Sequence, residues 1–90
     1  MEEKYSNDAK ILETALEKEP ENDRYMFYLA QSYRDSSQLE KAIEAYQKRV
    51  DMGGWEEEVY YSMYMIAKIS ERMGVDDETV TGLYSKAWEY

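Results

Sequence analysis

Ninety residues with 20 acids, 11 bases, no histidine and no cysteine carry a net charge of −9 at neutral pH. That length allows one small domain. The missing Cys and His remove disulfides, thiolate zinc sites and the commonest general base, and the acid excess argues against a phosphate-backbone binder.

No apolar run approaches the ~20 residues of a membrane span, and no signal-peptide pattern opens the chain. One proline and four glycines speak against a turn-rich all-β fold or a disordered tail. The expectation is an acidic, soluble, helical domain of a reducing, cytoplasmic compartment.

Residues with good helix propensity fill five stretches, about 3–18, 22–35, 38–52, 55–73 and 77–89. Pro20, Ser36-Ser37, Gly53-Gly54 and Gly74-Val75-Asp76-Asp77 separate them. In the first, Ile11, Leu12, Ala15 and Leu16 share an apolar face. The second opens with Asn22 or Asp23 as its cap and carries Met26, Leu29, Ala30 and Tyr33 at helical spacing. Ser37 and Glu40 have the form of a capping box for the third, whose stripe is Leu39, Ala42, Ile43 and Tyr46. Gly53 and Gly54 supply the left-handed backbone that ends it. The fourth places Glu56-Glu57-Glu58 at its positive start and lines up Met63, Ile66, Ala67 and Ser70. The fifth is capped by Asp76 or Asp77 and carries Val80, Leu83, Tyr84 and Ala87. Short connections make neighbours antiparallel, so the fold class is all-α, a row of helical hairpins.

The stripes repeat. Met26-x-x-Leu29-Ala30-x-x-Tyr33 with Ala42-x-x-x-Tyr46 is followed by Met63-x-x-Ile66-Ala67-x-x-Ser70 with Val80-x-x-x-Tyr84-x-x-Ala87, and Leu12-x-x-Ala15 before Pro20 ends like the second half of a third copy. A small residue lets two helices approach while a large neighbour fills the next gap. This spacing resembles the tetratricopeptide repeat, as half a repeat plus two over nearly the whole chain. The resemblance implies hairpins stacked as a right-handed superhelix. Met26 and Met63 stand in for its tryptophan, Ser70 for a tyrosine and Val80 for a small alanine. Arg49 sits where a small residue packs, and Gly53-Gly54-Trp55 replaces the closing proline. The second copy runs about four residues beyond the usual ~34, which implies an extra turn at the start of the fourth helix, with Trp55 folded against it, and one more residue in the following loop.

Two runs, FYLAQSYRD from Phe27 to Asp35 and YQKRVDMGGWEEEVYYS from Tyr46 to Ser62, look like the repeat segment that follows the catalytic domain in certain bacterial family-2-type glycosyltransferases. That resemblance implies a non-catalytic accessory domain cut from a longer enzyme, whose nucleotide-sugar- and metal-using domain lies outside these residues. No catalytic residue and no cofactor is expected here. The last helix closes without a polar capping helix, so Trp88 and Leu83 are expected to be partly bare and to invite self-association.

On the second helix Arg24, Phe27, Gln31 and Arg34 form a stripe ~120° from the core stripe, and Tyr61, Tyr64, Lys68 and Arg72 form its equivalent on the fourth. In tetratricopeptide folds the first helix of each hairpin lines the concave surface, so these residues are the candidate partner groove, basic and aromatic in an acidic chain. The plainer reading stands beside it. Tyr25, Tyr28, Tyr33, Tyr46 and Tyr84 suit core or interhelix packing, and Arg24 and Arg34 can pair with Glu21 and Asp35 at the surface. The positions of a chaperone-type carboxylate clamp hold Phe27, Gln31, Tyr61 and Met65, which lack its Lys and Asn set.

The partner is therefore a protein or peptide with acidic and apolar groups, another domain of the parent enzyme, or a carbohydrate; nucleic acid and membrane insertion are not expected. Glu56–Glu58 and Asp76–Glu78 lack the ligand spacing and glycine of a calcium loop, so no metal is expected. No nucleophile–base pair can be assembled. The function indicated is a binding scaffold, the alternatives being a free-standing adaptor or a module that oligomerises through its ends.

Overall fold

The computed structural model of the chain describes residues 2–89, so the ends of the expected 1–90 domain, Met1 and Tyr90, lie outside the described residues. Five helices account for nearly all of it: α1 (Glu2–Lys18), α2 (Asp23–Asp35), α3 (Leu39–Met52), α4 (Glu56–Arg72) and α5 (Asp77–Glu89), with no strand among the described residues. Each boundary falls within one residue of the sequence expectation. Every helix packs principally on the one before it and the one after it. The molecule measures 37 × 29 × 16 Å, and its thin dimension fits two layers of helices with axes ~10 Å apart.

Local chemistry explains most of the ends. Asn22 Oδ1 accepts the Tyr25 backbone N–H at 3.0 Å and caps α2. Asp76 accepts both the Thr79 side chain at 2.8 Å and the Thr79 N–H at 3.1 Å. These hydrogen bonds, the side-chain one first, hold its carboxyl below the ordinary 3.8. Gly53 and Gly54 take φ of 68° and 89° where α3 stops, a backbone that side-chain-bearing residues resist. The start of α3 departs from expectation. Its cap is Gln38, with no side-chain cap hydrogen bond, rather than Ser37. Ser37 instead takes a left-handed φ of 63° in the turn, which moves the helix start one residue beyond the Ser37–Glu40 capping box.

Ala30, Ala42, Ala67 and Ala87 are wholly buried where helices cross, the close approach that small residues permit. Leu29, Tyr33, Ala45, Tyr46, Met65, Ile66 and Ile69 complete the core, with Met26, Leu39, Ile43 and Leu83 packed at its edge. Among the described side chains of α1, from position 7 onward, Ala9 and Leu16 are buried and Leu12 is half-buried between them, while Ile11 is 67% exposed. The face expected to include Ile11 is thus corrected. α1 packs principally on α2, and a single contact line at spacing 9, 12, 16 leaves position 11 about 130° off it.

α4 has 17 residues against 13 in α2, and the extra four precede the stretch that matches α2, so the added turn lies at its start. The connection from Met73 to Asp76 is also one residue longer than that from Ser36 to Gln38. Trp55 remains 54% exposed, with the Arg24 guanidinium 5.4 Å from its ring centroid.

The added turn carries Glu58, and here a second correction applies. Glu56 and Glu57 are exposed at the helix start, but Glu58 is buried and accepts a hydrogen bond from Arg49 Nε at 2.6 Å. Arg49 is 0% exposed. It also donates to the Gly53 carbonyl, and its Nη2 lies 3.9 Å from Asp23 Oδ2. A Cβ at Gly54 would come within 3.0 Å of that same Asp23 oxygen. One buried cation therefore ties the end of α3 to the starts of α2 and α4.

Removing one member of a buried ion pair leaves the other charge uncompensated, typically at a cost of about 3–5 kcal/mol. Urea unfolding of Arg49→Met or Glu58→Leu alone is expected to show a loss of that order, and the double variant Arg49→Met/Glu58→Leu is expected to regain most of it.

Candidate functional site

The face shared by α2 and α4 is built on a run of aromatic rings. The Phe27 ring lies edge-on to Tyr61 (5.8 Å between centroids) and to Tyr46 (6.1 Å). Tyr61 meets Tyr64 at 6.5 Å, and Tyr64 meets Tyr84 at 5.8 Å. One chain of rings thus links α2, α3, α4 and α5, with the tilted and edge-to-face geometry that aromatic quadrupoles favour.

Cations are set along it. Arg34 Nη1 donates to the Tyr61 hydroxyl at 3.2 Å and to the buried Tyr46 hydroxyl at 3.5 Å, while its Nε donates to Asp35 at 3.0 Å. Burial works against the Arg34 charge, but the Asp35 hydrogen bond and the two tyrosines outweigh it, so the guanidinium pKa rises above its ordinary value. Lys68 Nζ stands 5.8 Å from the Tyr64 ring centroid, within cation–π reach.

Beside these groups lies a cleft of about 440 Å³. Arg34, Tyr61, Lys68 and Arg72 line it, the buried Met65 and Ile69 give it an apolar floor, and Glu71 joins the wall. Glu71 accepts a hydrogen bond from Tyr84 at 3.2 Å; partial desolvation first, and this bond second, raise the Tyr84 hydroxyl pKa.

The residues singled out in the sequence are thus partly assembled. Arg34, Tyr61, Lys68 and Arg72 share the cleft, and Phe27 and Tyr64 join it through ring contacts. Arg24 and Gln31 do not. Arg24 is placed over Trp55 rather than in an ion pair with Glu21. Gln31 lines a separate hollow of about 340 Å³ with Asp8, Ile11, Leu12, Tyr28, Ser32 and Asp35. The helical step accounts for the split. Relative to Phe27, Gln31 is turned ~40° one way and Arg34 ~20° the other, which sends Gln31 toward α1 and Arg34 toward α4.

Met65, placed at a groove position in the clamp comparison, and Ile69 form the floor; neither belongs to the candidate stripe, although both fall at four-residue steps from Tyr61. Tyr46 is buried as a packing residue and is also a hydrogen-bond partner of Arg34. Of the other tyrosines expected to pack, Tyr33 is buried, Tyr25 and Tyr84 are half-buried, and Tyr28 is 42% exposed. Tyr33 donates its hydroxyl proton to Glu13. Among the described residues no three acidic side chains are grouped to hold a metal ion, and no helix is long and apolar enough to cross a membrane. No protein-family profile, curated protein or solved structure matches the chain.

Burial first, and for Tyr33 the Glu13 carboxylate second, push the Tyr33 and Tyr46 hydroxyls well above the ordinary value of 10.0. With folded pKa values above the unfolded one, the stability they contribute is intact below pH ~10 and is lost as pH rises past it. An ultraviolet titration of the ten tyrosines is expected to be biphasic, the late phase coinciding with alkaline unfolding. Tyr46→Phe should remove one tyrosine from that late phase.

Proposed function

We propose that the chain is a non-catalytic helical-repeat binding module of tetratricopeptide type, which holds a protein segment against the α2–α4 face. The observation that carries this reading is the convergence of Arg34, Tyr61, Lys68 and Arg72 on one cleft in a chain of net charge −9. Arg and Tyr dominate the residues that supply binding energy at protein interfaces. The repeat assignment is supported by helices that pack in chain order, by buried alanines at matching positions of the two copies (Ala30 and Ala67), and by the added turn falling where the longer second copy requires it.

The runs from Phe27 to Asp35 and from Tyr46 to Ser62 support a narrower role, the accessory domain of a cytoplasmic bacterial glycosyltransferase. There the module would position the catalytic domain, another protein or the acceptor. Catalysis is assigned to no residue of this chain. Trp88, 73% exposed, favours a second reading in which an end face mediates self-association.

Arg34→Ala and Tyr64→Ala are each expected to weaken partner capture by immobilised protein by about 2 kcal/mol or more, with helicity by circular dichroism unchanged. Undiminished capture by both variants sinks the groove. Light scattering of the wild type and Trp88→Ala over a range of concentrations tests the second reading.

A further inference from the structure

The charge balance of the cleft narrows what can occupy it. The ion pairs among the described residues are Arg34–Asp35, Arg49–Asp23 and Arg49–Glu58. Lys68 and Arg72 take part in none of them, although the chain has 20 acids available. They stand one turn apart on α4, a spacing that brings side chains within ~5–6 Å of each other at Cβ. Arg34 is already neutralised by Asp35 and held by two tyrosine hydroxyls. Glu71, the acid in the wall, keeps its negative charge while it accepts from Tyr84. Lys68 and Arg72 together outweigh it, so the wall is net positive, and it borders a floor of Met65 and Ile69.

Resting on the binding-module reading, we propose that the cleft takes an acidic–apolar peptide segment of a partner protein. An aliphatic or phenyl side chain lies on Met65 and Ile69 beside Tyr61, and a neighbouring carboxylate is held between Lys68 and Arg72. The volume lies within the ~300–1,000 Å³ range of ligand sites and accommodates one large side chain with its backbone. A neutral sugar would leave the excess positive charge of Lys68 and Arg72 over Glu71 uncompensated. A nucleic-acid backbone would bring many phosphates against a strongly acidic molecule. A carboxylate next to an apolar side chain satisfies cations and floor together, through charge-assisted hydrogen bonds on one side and burial of apolar surface on the other.

The test uses the full chain and three fluorescein-labelled hexapeptides: Glu-Asp-Leu-Phe-Glu-Asp, its uncharged counterpart Gln-Asn-Leu-Phe-Gln-Asn, and Glu-Asp-Ala-Ala-Glu-Asp, which lacks the apolar pair. Fluorescence anisotropy is expected to show saturable binding of the first, with the other two and the Lys68→Glu/Arg72→Glu variant each about tenfold weaker or more. Added salt should weaken the first interaction, Trp88→Ala should leave it unchanged, and amide shifts in nuclear magnetic resonance spectra should cluster between Tyr61 and Arg72. Equal binding of the uncharged peptide, or unchanged binding by the charge-reversed variant, overturns the acidic specificity; if the shifts still fall on that segment, the α2–α4 face stands as the partner site. Absence of shifts there with all three peptides overturns both.

Discussion

The Arg49 guanidinium is a charge with no access to water, and the local structure around it is arranged to compensate for that. Glu58 supplies the counter-charge and the Gly53 carbonyl a further acceptor, while Asp23 stands just beyond hydrogen-bond distance of Nη2, which has no hydrogen-bond partner. An isolated buried cation costs several kcal/mol even after relaxation, so these groups are coupled requirements. A small side chain at position 49 would need neither the carbonyl nor the acid. A long cationic one needs a turn that offers its carbonyl inward, which the two glycines provide, and a carboxylate within reach, which the added turn of α4 provides. Arg49, the Gly53-Gly54 turn and the added turn of α4, which look unrelated in the sequence, thus meet in one cluster.

The same cluster reaches the candidate site through the framework that carries it. Asp23 belongs to the first turn of α2 and Glu58 to the first turn of α4, so the starts of the two helices that present the cleft are fixed against one buried cation. Arg24 over Trp55 reinforces that junction from outside. Further along, Phe27 against Tyr61 and Arg34 on the Tyr61 hydroxyl continue the contact between the helices. The helix pair that presents the cleft is thus held by a charged anchor at its starts and by rings and hydrogen bonds farther along.

Most of the fold was legible because helix propensity, breakers and apolar periodicity agree, as they do at the Asn22 cap, the Gly53-Gly54 stop and the buried alanines. Where several local signals compete, they do not decide the outcome. Ser37 has the chemistry of a cap, but the turn needs a left-handed residue there and the helix begins later. Ile11 lies one residue from the contact line of a helix with one neighbour, a distinction that hydrophobicity does not carry. The Arg49–Glu58 pair joins residues on either side of a loop, and Glu58 within an acidic triplet reads as a helix-start charge until the register of the added turn is known. In the candidate site, the cations of α4 and the rings of α2 and α4 follow from helical stepping. The separation of Gln31 from Arg34 depends on which neighbours flank α2, information that is tertiary.

Because the helices pack in chain order, support is unequal along the molecule. α4 buries residues on two sides and α3 carries the Arg49 cluster, whereas α5 buries only Val80 and Ala87 and rests principally on α4. Arrays of this kind behave as one-dimensional assemblies of neighbour interactions, and elements with little buried surface open at a lower free energy than the whole. The burial therefore favours graded opening, with α5 less supported than α3. Tyr84 is carried on α5, so its hydrogen bond to Glu71 in the cleft wall depends on the helix with the least buried surface.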